Sequence, residues 1–177
     1  MLFDLVTRIC KSGVVTSENV LAIRQAFYGD GKITADEAAS IFKINMACSK
    51  QDPSWSVAFT EALTDFIVHQ TQPHGYVSEA NANWLIQQIG QDGKVDHINE
   101  MELLVRVMEQ AKSVPDSFSA YTLSQVKQAV LSGSGPLRNG KQLEAGLVNE
   151  ADVELLRRIL YAYAGEGNVS ITTAEAE

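Results

Sequence analysis

The sequence predicts an all-α protein of about nine helices arranged as three repeated three-helix units, and three observations carry that expectation. First, one corner recurs: glycine, any residue, Val or Ile, a small or polar residue able to cap a helix, then acids and an apolar stripe. It occurs six times, as GVVTSENVLAI from Gly13, GKITADEAASI from Gly31, GYVSEANANWLI from Gly75, GKVDHINEMELL from Gly93, GLVNEADVELL from Gly146 and GNVSITTAEAE from Gly167. Second, a further segment with apolar residues at helical spacing precedes each pair of corners. Third, no run alternates apolar and polar residues convincingly enough to mark a strand.

The elements follow in order. Leu2 to Lys11 forms the first amphipathic helix, and Gly13 ends it. Each corner then reads as a short extended turn leading to an N-cap, Thr16 or Ser17 at the first corner and Thr34 at the second. Asp36 and Glu37 fall in the first turn after Thr34, where they suit the helix dipole. In the second unit a helix from Trp55 to Gln70 carries Trp55, Phe59, Leu63, Phe66 and Ile67 on one stripe. Its two corners are capped by Ser78 and Asp96. The third unit begins with a helix from Phe118 to Leu131, on which Phe118, Tyr121 or Thr122, Val126 and Val130 recur at helical spacing, and its corners are capped by Asn149 and by Ser170 or Thr172.

These units span about 1–48, 53–112 and 117–177 within a single domain, 1–177. The third is lengthened by SGSGPLRNGKQLEAG, about 132–146, a Gly-rich insertion expected to be an exposed loop. Its last helix reaches Glu177 before an apolar stripe develops, so this unit reads as incomplete. Trp55, Trp84, Phe27, Tyr161 and Tyr163 lie on helical stripes and are expected in the core.

With 177 residues, 45% of them hydrophobic, the chain can bury a core without metal or disulfides. The net charge of -8 and the lack of any Lys/Arg-rich run exclude a general nucleic-acid binder, which needs a basic surface to displace counterions. Cys10 and Cys48 both lie in apolar helical stretches, where a free thiol behaves as a small hydrophobe, and this suits a reducing compartment. The N-terminal MLFDLVTRICKSG has too short an apolar run for a signal peptide, and no window is long enough for a membrane helix. The expectation is a cytoplasmic protein without a membrane span.

The stretch FYGDGKITADEAASIF invites comparison with a calcium-binding hand, which needs oxygen ligands at the first, third, fifth, ninth and twelfth loop positions and glycine at the sixth. With Gly31 at the sixth, Asp30, Thr34 and Glu37 fit, but Ala26 and Tyr28 occupy the first and third. Around Gly93, Asp92 and Asp96 fit. Gln88 and Gly90 do not, and Asn99 stands where the bidentate acid belongs, with Glu100 beside it. The corners are therefore expected to turn helices with no cofactor required. The alternative is a weak divalent-cation site, for calcium or magnesium, assembled from Asp30, Asp36, Glu37, Asp92, Asp96 and Glu100.

Other constellations are weaker. GPLRNGKQ, from Gly135, lacks the Ser or Thr that a phosphate-binding loop places after its lysine, and it follows a helical pattern rather than a strand. Glu61, Asp65 and His69 share one helix face at steps of four, but that face lies opposite the apolar stripe and is expected to be solvated. His74 and His97 read as turn and capping residues, and no zinc signature or nucleophile elbow is present. No catalytic residue is assigned, and the chain is expected to be a non-enzymatic, partner-binding module.

YGDGKITADEAASIF and IGQDGKVDHINEMELLVRVM resemble the helix-Asp-Gly-hydrophobic-acid-helix signature of the tellurite-resistance TerB-like family. That resemblance implies a compact helical fold, a stress-associated or partner-binding role, and an acidic cluster suspected of touching metal ions. Its matching acids here are Asp30 with Asp36 or Glu37, and Asp92 with Asp96 and Glu100. The third pair of corners, where Glu166 replaces Asp before Gly167, departs from the family pattern.

Overall fold

A computed structural model describes residues 2–29, 31–90, 94–138 and 142–164. Asp30, Asp92 and the Gly167 corner lie outside the described residues. Among the described residues the fold is mostly helical, with eight α-helices and one very short pair of strands. In order these are α1 (Leu2–Ser12), β1 (Val14–Val15), α2 (Ser17–Phe27), α3 (Ala35–Ala47), β2 (Lys50–Gln51) and α4 (Pro53–Thr64). A π-helical segment, Asp65–Gln70, continues α4, followed by α5 (Glu79–Ile89), α6 (Ile98–Gln110), α7 (Asp116–Ser132), a 3-10 turn (Pro136–Arg138) and α8 (Glu150–Ala164).

Local chemistry explains most helix starts. Thr16 and Asn19 cap α2 reciprocally, with Asn19 N donating to Thr16 Oγ1 at 3.2 Å and Thr16 N to Asn19 Oδ1 at 3.1 Å. Thr34 and Glu37 do the same for α3, and Asn149 and Asp152 for α8. Such a box satisfies backbone N–H groups that have no partner within the helix. Asp52 caps α4, with Pro53 in the first turn, where its missing N–H costs nothing. Ser78 caps α5. The cap of α6 falls on His97 rather than Asp96, a shift of one residue.

The corners are more than turns. Gly13 adopts φ 66°, in the left-handed region that only glycine enters without strain, and ends α1. The extended residues after it pair in parallel with the segment following α3, Val14 with Lys50 and Val15 with Gln51. Lys50 N donates to Gly13 O at 3.4 Å and Asp52 N to Val15 O at 2.9 Å. Similarly, Lys112 N donates to Gly75 O at 2.7 Å and Val77 N to Ser113 O at 3.1 Å, forming a bridge between Tyr76 and Ser113. The extended turn was legible in the sequence. Its pairing was not, because the partner strand lies a full helix or more away along the chain.

α4 and α6 occupy the centre. Eight of the thirteen residues of α6 are buried, more than a single amphipathic stripe provides, so this helix is covered on most sides. An aromatic cluster joins α3, α4 and α5: Phe42 meets Phe59 edge-on with ring centroids 5.4 Å apart, and Trp84 lies against both Phe42 and Phe66. Trp55 and Phe27 are buried as expected and Trp84 is half-buried. Tyr161 is not a core residue: it is 70% exposed, on the outer face of α8. The Tyr163 side chain lies outside what is described.

The Gly-rich insertion also departs from expectation. Rather than an exposed loop throughout, it folds inward at the 3-10 turn, burying Leu137 and Arg138. Gly133 allows this fold-back, because a Cβ there would stand 2.1 Å from Leu143 O. Arg138 forms a fully buried ion pair with Asp152, and its Nε donates to Ala129 O at 3.3 Å. Asp152 also accepts from Asn149 N, so one carboxylate both caps α8 and anchors the insertion. Arg138 Nη2 and Asp152 Oδ1 are buried without hydrogen-bond partners. Asp152→Ala is expected to cost about 3–5 kcal/mol by stranding a buried guanidinium, whereas Arg138→Met with Asp152→Ala recovers most of that loss. Urea unfolding of the two variants measures both.

Candidate functional site

The acids singled out in the sequence occupy different environments. Asp36 and Asp96 are exposed. Glu37 Oε2 accepts from Thr34 N at 2.8 Å and from Thr34 Oγ1 at 2.9 Å. Glu100 is fully buried: its Oε2 accepts from the N–H groups of Asp96 and His97, and its Oε1 from Asn45 Nδ2 at 3.3 Å. Among the described residues, no group of three or more His, Cys, Asp or Glu is arranged to hold a metal ion.

Glu100 instead belongs to a buried polar node between α3, β2, α4 and α6. Asn45 Oδ1 accepts from Asn99 Nδ2 at 2.9 Å, Trp55 Nε1 at 3.2 Å and Gln51 Nε2 at 3.3 Å. Asn99 Nδ2 also lies 2.9 Å from Gln51 Oε1. Burial pushes the Glu100 carboxyl above the ordinary glutamate range, and its hydrogen bonds with His97, Asp96 and Asn45 offset only part of that.

Two surface features stand apart from this node. The first is the outer face of α8. Val153 (55% exposed), Leu160 (40%) and Tyr161 line a groove of about 460 Å³ with Leu156 and Arg157. Behind it, Arg158 fixes α8 to α6 through four hydrogen bonds of 2.7–2.9 Å to Glu102 and Glu109. These two carboxylates hold the guanidinium firmly protonated. Sequence reading places Tyr161 in the core because α8 is apolar on two faces. The inner one carries the buried Ile159 and the outer one the groove.

The second is an open polar cleft of about 390 Å³ where α4 passes into its π-helical segment. Glu61, Thr64, Asp65 and His69 line it from that side, Arg106 and Gln110 from α6, and Tyr28 from the end of α2. Arg24 ion-pairs with Glu61 at 2.7 Å. Gln70 bridges Asp65 and the Gly31 corner, its Nε2 donating to Asp65 and its Oε1 accepting from Ile33 N. Burial, with the charges of Asp65 and Glu61, raises the Tyr28 phenol above its ordinary value, against a smaller opposing effect of Arg24. Glu61, Asp65 and His69 do share a helix face as the sequence indicates, but the partners that make it a cleft come from α2 and α6, at distances along the chain that no local pattern reveals.

Compared with protein-family models, with curated proteins and with solved structures, the chain matches none. Among the described residues no helix is long and apolar enough to cross a membrane.

Raised in the fold, the Glu100 carboxyl costs folding free energy once ionised. Its contribution to stability is therefore greatest at or below the ordinary glutamate range and declines as pH climbs from there through the raised value. Glu100→Gln, neutral throughout, is expected to flatten this decline while keeping one acceptor for the start of α6. Tm followed from mildly acid to neutral pH checks it.

Proposed function

We propose that this protein is a non-enzymatic helical module that binds a protein partner, and that the outer face of α8 receives an amphipathic helix of that partner. The observation that carries this reading is the groove along Val153, Leu156 and Leu160. These positions recur at helical spacing: Val153 and Leu160 are turned outward, and Leu156 between them is half-buried against the core. Exposed apolar side chains gathered on one face mark interaction surfaces more often than scattered ones do, and this open stripe along one helix suits side-by-side packing of a second amphipathic helix. Arg157 and Tyr161, the residue types most useful at interface centres, sit in the same groove.

Three stacked units are part of the same proposal. The first two are supported by the equal offset that separates Gly13 from Gly75 and Lys50 from Lys112, residues that make equivalent backbone bonds at two corners. The stress-associated role and weak cation response implied by TerB-like corners form the alternative.

Photo-cross-linking from position 161 in the cell of origin is expected to give one reproducible partner adduct, lost in Val153→Asp with Leu160→Asp. No adduct, or adducts only to a second copy of this chain, overturns the heterologous partner. Calcium or magnesium at about millimolar levels is expected to leave Tm unchanged, and a rise of several degrees would favour the cation-responsive alternative.

A further inference from the structure

We infer that the polar cleft between α4 and α6 binds a small zwitterion of amino-acid size, its carboxylate on Arg106 and its ammonium group toward Asp65. This site is distinct from the α8 groove and does not depend on it.

The charges define the ligand. Glu61 is neutralised by Arg24, which leaves Asp65 and Arg106 as the opposed charges facing the cleft. Arg106 is half-buried and makes no hydrogen bond or ion pair with any described residue. A free guanidinium in a cleft is suited to a planar, two-oxygen anion such as a carboxylate. A ligand that is only anionic meets Asp65, and one that is only cationic meets Arg106. A molecule carrying both charges satisfies each. The volume of about 390 Å³ lies at the small end of the range for ligand sites.

Thr64 supplies an independent observation. The two other buried helical threonines among the described residues return their hydroxyls to the carbonyl four residues back: Thr60 to Ser56 and Thr122 to Phe118. Thr64 is only 4% exposed and lines the cleft, yet its Oγ1 has no partner. Leaving a buried hydroxyl unbonded is costly, and among the described residues lining the cleft only Thr64 carries one. The backbone changes here too: immediately after Thr64 the helix becomes π-helical, and Thr71 N bonds Phe66 O five residues back. Such π segments widen one turn and occur frequently at functional sites.

The test uses the full chain, titrated separately with each of the common α-amino acids, with acetate and with ethylamine, and read by thermal melting and calorimetry. At least one amino acid is expected to raise Tm saturably, with neither single-charge probe matching it. Arg106→Gln should weaken that binding by roughly tenfold or more. Thr64→Val should weaken it while leaving the unliganded Tm unchanged or higher, which a purely structural threonine would not do. No saturable response from any amino acid, binding that survives Arg106→Gln, or acetate binding as tightly as the zwitterion overturns the assignment.

Discussion

The fold is organised around a carboxylate and an amide that must be satisfied away from water. Glu100 and Asn45 are both fully buried, on α6 and α3. An unpaired acid in such surroundings is strongly destabilising, so these two helices have few permissible arrangements. Glu100 accepts from the start of its own helix and from Asn45, while Asn45 collects donors from Trp55, Asn99 and Gln51. The hydrophobic contacts around this node are non-directional. The node supplies the directions, setting α3, α4 and α6 in register with one another.

Once α6 is set, its other sides acquire their roles. Glu102 and Glu109 receive Arg158 and hold α8, whose outer face then carries the apolar groove. Arg106 and Gln110 project toward the π-helical continuation of α4 and complete the polar cleft. A single central helix thus presents a buried carboxylate, an ion-pair anchor and a free guanidinium within three turns. The buried Arg138–Asp152 pair closes the far end, tying the insertion to the first turn of α8.

Capping was the most legible feature of the chain, since each cap is a contact between residues three apart. Thr16, Thr34, Ser78 and Asn149 cap the helices that the corner pattern assigns to them. Asp96 gave way to His97 because the Glu100 carboxylate accepts from the N–H groups of both residues, leaving the helix free to begin one residue later. Most of the described insertion residues are exposed as expected, but its 3-10 turn is not, for a different reason. Glycine-rich composition signals flexible backbone, but Leu137 and Arg138 are held down by a buried acid that follows them in α8. Tyr161 shows the same limit: periodicity identifies the apolar faces of a helix but not which of them another element covers.

The order of residues therefore decided where helices begin and end, because caps, glycine hinges and apolar spacing act over a few residues and are specified wherever they occur. It also supplied enough apolar residues for a sizeable core. Pairing of the corner strands, burial of Glu100, exposure of α8 and convergence of Tyr28, Asp65 and Arg106 were decided only in three dimensions. Each depends on groups far apart in the chain being brought together against solvent. Their energies come from desolvation and long-range contact, which no short stretch of sequence contains.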